Sequence, residues 1–168
     1  LSHRGEGVNG AAFIAALGAA IPATENVDDA LDAALEYIPD DSAAAAAVRF
    51  GRELSGDADA TRRLQEKYEG MSPVHTLNNL SLVVWALRSA DGDFGAAIGD
   101  AVAAGYDTDC NGATVGGLFG LTGAPIPDAW TRPWAGRIGL NLAGYTELHV
   151  DEVVERTVAV AESIDTGI

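Results

Sequence analysis

The chain has 168 residues, 48% of them hydrophobic, 21% charged and 7% aromatic, a balance that fits one compact domain. Twenty-five acids against ten bases leave a formal net charge of −15, which repels nucleic-acid phosphates and anionic lipid, so neither is expected as a partner. No uninterrupted apolar run approaches the ~20 residues of a membrane span. Cys110 is the single cysteine, which excludes an internal disulfide and makes a reducing cytoplasm the simplest location.

Helix signals dominate in chain order. The Ala-rich segment Val8 to Ala20 predicts a first helix that Pro22 cannot continue. Asn26 is placed to cap a second, where Val27, Leu31, Ala34, Leu35 and Ile38 recur at steps of three and four before Pro39. Asp41 or Ser42 opens a third helix, Ala43 to Leu54, and Asp57 a more polar fourth through Arg62, Leu64 and Tyr68; both read as outer helices. Thr76 is placed to cap a fifth, apolar almost all round from Leu77 to Leu87, which suits a central buried position. Asp93 precedes a sixth, Phe94 to Ala104, closed by Gly105, and Gly112 to Thr122 reads as a Gly-rich seventh. Pro125, Pro127 and Pro133 make Gly123 to Thr146 an irregular connection with Trp130 and Trp134 packed down. Asp151 opens the last helix, with Val150, Val153, Val154, Thr157, Val158 and Ala161 as its apolar stripe. No convincing strand emerges, and the pattern predicts an all-α fold: an orthogonal array of about eight short helices in a single domain over residues 1–168.

The segment that carries chemistry runs from Gly105 to Gly117. Asp107 and Asp109 are carboxylates one residue apart, in a predicted loop before a helix, and such a pair can converge on a hard cation such as Mg²⁺. The competing reading makes one of them an N-cap and the other a partner of the helix dipole. Asp107, Asp109, Asn111 and Gly112 match the first half of a calcium EF-hand loop, but the twelfth position is Leu118 where a bidentate Glu is required, and the match fails. Two carboxylates are half a metal site. Cys110 as a nucleophile is disfavoured, since no His is close in sequence and two acids raise its pKa.

The block Gly105-Tyr106-Asp107-Thr108-Asp109-Cys110-Asn111-Gly112-Ala113-Thr114-Val115-Gly116 has Val74-His75-Thr76-Leu77-Asn78-Asn79 upstream and Leu1-Ser2-His3-Arg4-Gly5-Glu6-Gly7 at the start. In this order and separation the blocks resemble the C-terminal half of an ADP-ribosylglycohydrolase. The resemblance implies an all-α fold and a cleft holding two Mg²⁺ or Mn²⁺ ions beside the ribose of ADP-ribose. It carries over Asp107 and Asp109 as metal-binding, catalytic positions, with Cys110 as a third ligand where the family often has Thr. His3 falls where a family His lines the ADP-ribose pocket, and Asn111 and Gly112 fall in the turn that approaches the substrate. A helix beginning near Gly112 would offer backbone N–H groups to the pyrophosphate.

The reaction so implied is hydrolysis of an N- or O-glycosidic ADP-ribosyl bond, on a protein or a small compound. The family's other metal ligands, a Thr-Asp-Asp block and an early Glu, have no counterpart in these residues. The chain is therefore expected to be the C-terminal part of a larger domain, inactive alone, and able to self-associate through faces left open. The family also contains a lens crystallin, so the alternative is a silent ADP-ribose-binding or structural relative. His75, Thr76, Asn78 and Asn79 read as capping and polar packing at the start of the buried helix, with a place in a pocket wall as the alternative, and Trp85 and His149 as packing or surface residues.

Overall fold

The computed structural model describes residues 3–165, in which nine α-helices account for most of the chain. The helical class expected from the sequence is what is found. Where one domain was expected, two compact units are seen, residues 1–125 and 126–168.

The first unit contains α1 (Glu6–Ala20), α2 (Val27–Leu35), α3 (Ala43–Glu53), α4 (Ala60–Lys67), α5 (Thr76–Ser89), α6 (Phe94–Ala103) and α7 (Thr108–Leu121). Their starts follow local cap chemistry. Asn26 accepts from the Asp29 N–H at 2.9 Å, Ser42 from Ala45 at 3.1 Å and Asp93 from Ala96 at 3.0 Å, each satisfying an otherwise orphaned donor of a first turn. At α5 the cap is His75 rather than Thr76: His75 Nδ1 accepts from the Leu77 N–H at 3.2 Å, and Thr76 is the first helical residue.

Helix α5 is the centre of this unit. Leu80, Leu82, Val83, Val84, Trp85, Ala86 and Leu87 are all buried, and removing a side chain of Leu or Val size from water contributes about 1.5–3 kcal/mol. Helix α3 is a core helix, not the outer one expected: Ala44, Ala45, Ala47, Val48 and Gly51 are buried, and it packs closely on α5. The small residues allow that approach, since a Cβ at Gly51 would lie 2.4 Å from the Ser81 carbonyl oxygen. Across the same contact Ser81 Oγ donates to the Ala47 carbonyl at 2.8 Å and shares a 2.5 Å hydrogen bond with the Tyr68 hydroxyl. Desolvation of Tyr68 raises its phenol pKa above the ordinary value. Among the described residues, no buried side-chain nitrogen or oxygen lacks a partner.

Helix α1 and the turn after it, Glu6–Ala23, have the length and mean hydropathy (1.3) of a membrane span despite the interruptions at Gly18 and Pro22. In the fold Phe13, Leu17 and Ile21 enter the core. Helix α1 also begins earlier than expected, because Glu6 is tied down: its Oε2 accepts from the Ala44 N–H at 2.8 Å and the Asn9 amide at 3.3 Å. Farther along, Asp28 on α2 accepts from Arg88 Nε at 2.7 Å and Arg52 at 3.3 Å, linking α2, α3 and α5 at their polar edges.

The second unit holds α8 (Asp128–Thr131), an antiparallel hairpin of β1 (Arg137–Leu142) and β2 (Tyr145–His149), and α9 (Val150–Asp165). The hairpin corrects the expected irregular connection. Arg137 pairs with His149, Ile138 with Leu148 and Leu142 with Tyr145, with an irregularity between Gly139 and Leu142. Helix α9 starts at Val150, one residue before the expected opener. Trp130 and Trp134, expected to pack down, are 41% and 54% exposed.

Candidate metal and nucleotide site

The loop before α7 is held in a conformation the chain does not adopt freely. Gly105 has φ +87° and Tyr106 has φ +60°, and a non-glycine residue in the left-handed region costs roughly 1–2 kcal/mol. Two anchors hold it there. The Tyr106 hydroxyl donates to the Leu64 carbonyl on α4 at 3.2 Å, and the Asp107 N–H donates to Asn79 Oδ1 on α5 at 3.4 Å.

Helix α7 then starts at Thr108, four residues before the expected Gly112, and Asp107 occupies its N-cap position. Unlike Asp93 on α6, Asp107 makes no side-chain capping bond. The cap reading of this aspartate therefore fails at its defining contact. Its carboxylate meets Asp109 and Cys110 instead: one ligand atom from each of the three lies within 4.8 Å of the others, the one such His/Cys/Asp/Glu group among the described residues. Hydrogen bonding with the Asp107 side chain holds the Asp109 carboxyl below the usual carboxylate range, assisted by the backbone N–H groups of Asp109 and Cys110. The Cys110 thiol is pushed up, first by its hydrogen bond to Asp107 and then by the charge there. A protonated thiol is a poor nucleophile, in line with the reading that disfavoured Cys110 as one.

Beside this group lies a cleft of about 510 Å³ between α1, the start of α5 and the start of α7. A small-residue face of α1, with Gly7, Gly10, Ala11 and Ala15, makes one wall; Ile14, Leu80 and Val83 make it apolar; His3, Thr76, Asn79, Asp107, Asn111 and Thr114 add polar groups. Gly10 is required where α1 meets α5, since a Cβ there would sit 2.5 Å from Thr76 Cγ2.

Most of the sequence-derived candidates converge here. His3, Asp107, Cys110 and Asn111 line the cleft; Asp109 and Gly112 do not. Asp109 is exposed beside the cleft, with a carboxylate oxygen within 4.8 Å of the ligand atoms of Asp107 and Cys110. Gly112 lies inside α7, where a Cβ would meet Val102 Cγ2 on α6 at 3.6 Å, and not in the turn where it was expected. The helix start expected near Gly112 to offer N–H groups to an anion lies at Thr108 instead.

Asn79, read from the sequence as capping and polar packing with a pocket-wall place as the alternative, lines the cleft. Its Oδ1 accepts from the buried Asn111 amide at 2.6 Å, and its Nδ2 donates to the carbonyls of Pro73 and His75 at 2.8 and 3.0 Å. The available signal was an Asn-Asn pair on an otherwise apolar helix, which demands polar partners from another element.

An all-α scaffold with a cleft between three helices and an acidic pair beside it defines the class as a helical fold with a candidate cation site. The chain belongs to the ADP-ribosylglycohydrolase family, whose model matches residues 1–162. Neither a curated protein nor a solved structure gives a match. Membership indicates a glycohydrolase-type function with ADP-ribosyl substrates, in a family that is generally metal-dependent.

Proposed function

We propose that this chain carries part of the site of a metal-dependent hydrolase of N- or O-glycosidic ADP-ribosyl bonds. The observation that carries the reading is the aspartate at the N-cap of α7, which leaves the helix start uncapped and joins Asp109 and Cys110 beside the cleft. The donor set fits a divalent ion in part. Two carboxylate oxygens suit Mg²⁺ or Mn²⁺, which take about six ligands, and the thiol is a softer, poorer third donor for Mg²⁺.

Asp107 and Asp109 would hold the cation, with the remaining ligands of a two-ion centre supplied by residues outside those described. A divalent ion held there would supply Lewis-acid polarisation of a ribose hydroxyl or a water. The chain's own contribution is placement: the glycine-lined wall of α1 admits a flat or extended group closely, Ile14, Leu80 and Val83 exclude water beneath it, and His3, Thr114 and Asn111 offer hydrogen bonds. A free Cys110 suits a reducing cytoplasm, the proposed location.

A second reading, a silent relative that binds ADP-ribose, is favoured by one observation: Asp107 is the single carboxylate among the described lining residues. Calorimetry separates the two. Weak Mg²⁺ or Mn²⁺ binding by this chain, lost in Asp107→Asn, together with metal-dependent release of ADP-ribose once the further carboxylates are supplied, is the expected result. ADP-ribose binding indifferent to cations and to Asp107 would favour the silent relative, and tight two-metal binding by the 168-residue chain alone would contradict the half-site.

A further inference from the structure

We infer that Asn79 is the positioning residue that aims Asp107 at the cation, an inference that rests on the metal reading above. An Asn side chain has two N–H donors and an oxygen with two acceptor sites. At Asn79 all are engaged. The Nδ2 group donates to the Pro73 and His75 carbonyls, and Oδ1 receives both the Asn111 amide and the Asp107 N–H.

The orientation follows from this arrangement. Flipping the amide would set an N–H group against two donors and an oxygen against two carbonyls, so one rotamer is fixed. The carbonyl end therefore reaches from α5 across to α7 and meets the backbone at the residue where the left-handed turn ends and the helix begins. Asp107 itself has φ −86° and ψ 75°, outside the helical region, and its side-chain direction follows from that backbone. Asn111, 3% exposed, is held by the same oxygen, so the first turn of α7 is gripped at both ends. Because its hydrogen-bonding groups are engaged within the protein, Asn79 acts on the site through Asp107 rather than by touching the reacting atoms.

The test uses the full chain, ¹⁵N-labelled, with Mn²⁺ as probe. Paramagnetic broadening of the amide signals of residues 107–111 reports where the ion sits, and its concentration dependence reports affinity. Asn79→Ala is expected to weaken Mn²⁺ binding about tenfold, the usual penalty for losing an outer-shell partner, and to speed hydrogen exchange at the Asp107 amide. Ser81→Ala is the control, since Ser81 is buried on the same helix with partners at Ala47 and Tyr68 and none on α7. It should lower the melting temperature and leave Mn²⁺ affinity unchanged. Equal Mn²⁺ affinity in wild type and Asn79→Ala would overturn the positioning role and leave the metal reading intact. A wild-type chain with no broadening at 107–111 would overturn the metal reading and the positioning role together. A loss of affinity in Ser81→Ala matching that in Asn79→Ala would reduce Asn79 to a stability effect and overturn the inference.

Discussion

Helices α6 and α7 both begin at an aspartate, and the two aspartates do different work. Asp93 accepts from the Ala96 N–H and closes the first turn of α6. Asp107 stands at the same position of α7 with no capping bond, its carboxylate turned to Asp109 and Cys110. Both aspartates follow a left-handed pair, Asp91-Gly92 and Gly105-Tyr106, and the difference lies in the anchors: the second pair is tied to α4 through Tyr106 and to α5 through the Asp107 N–H. A cap is a local bond that any short polar side chain can make. At α7 the cap is absent where tertiary anchors hold the preceding loop.

The comparison can be stressed from the scaffold inward. Gly51→Ala would push α3 off α5, the helix that both α6 and α7 pack against, and should cost about 3 kcal/mol in urea unfolding. The contrast between the aspartates should survive that loss wherever the protein still folds. Asp93→Ala should cost about 1 kcal/mol with no change in cation binding. A smaller effect concerns acid. Arg88, with help from Arg52, holds the Asp28 carboxyl below its ordinary 3.8 despite the opposing cost of desolvation. Its contribution is complete above the unfolded value and lost as pH falls through the lower folded value, so the fall comes below about pH 4. Asp28 is 43% exposed, and after solvent screening the contribution is about 1 kcal/mol or less. Asp28→Asn should flatten the acid limb of a melting-temperature profile. Asp107→Asn should change stability least, within about 0.5 kcal/mol, while abolishing cation binding. A loss near 1 kcal/mol there would mean that Asp107 caps after all.

What the sequence shows plainly is what short-range chemistry decides. Asn26, Ser42 and Asp93 announce their helices because a cap and its partner lie three residues apart. The burial of α5 is legible from its unbroken apolar run. The acid pair at 107 and 109 and the lining residues His3 and Asn111 were legible through the family-like blocks. The start of α7 was misplaced because its Asp and Gly content reads as loop, and only anchors 28 and 42 residues away in sequence set it at Thr108. The hairpin had a local signal, Ile138, Leu140 and Leu142 alternating with Gly139 and Asn141, which the neighbouring prolines obscured. Asn79 had only the Asn-Asn pair on an apolar helix as its signal, which names no partner, since its partners on α7 are tertiary.

The most direct test is a titration of the ¹⁵N-labelled chain with ADP-ribose in the presence of Mg²⁺, read as amide chemical-shift changes. Shifts concentrated at Gly7, Gly10, Asn79, Asp107, Cys110, Asn111 and Thr114 are the predicted result. An unchanged spectrum, or shifts confined to residues 126–162, would contradict the placement of the site at the start of α7.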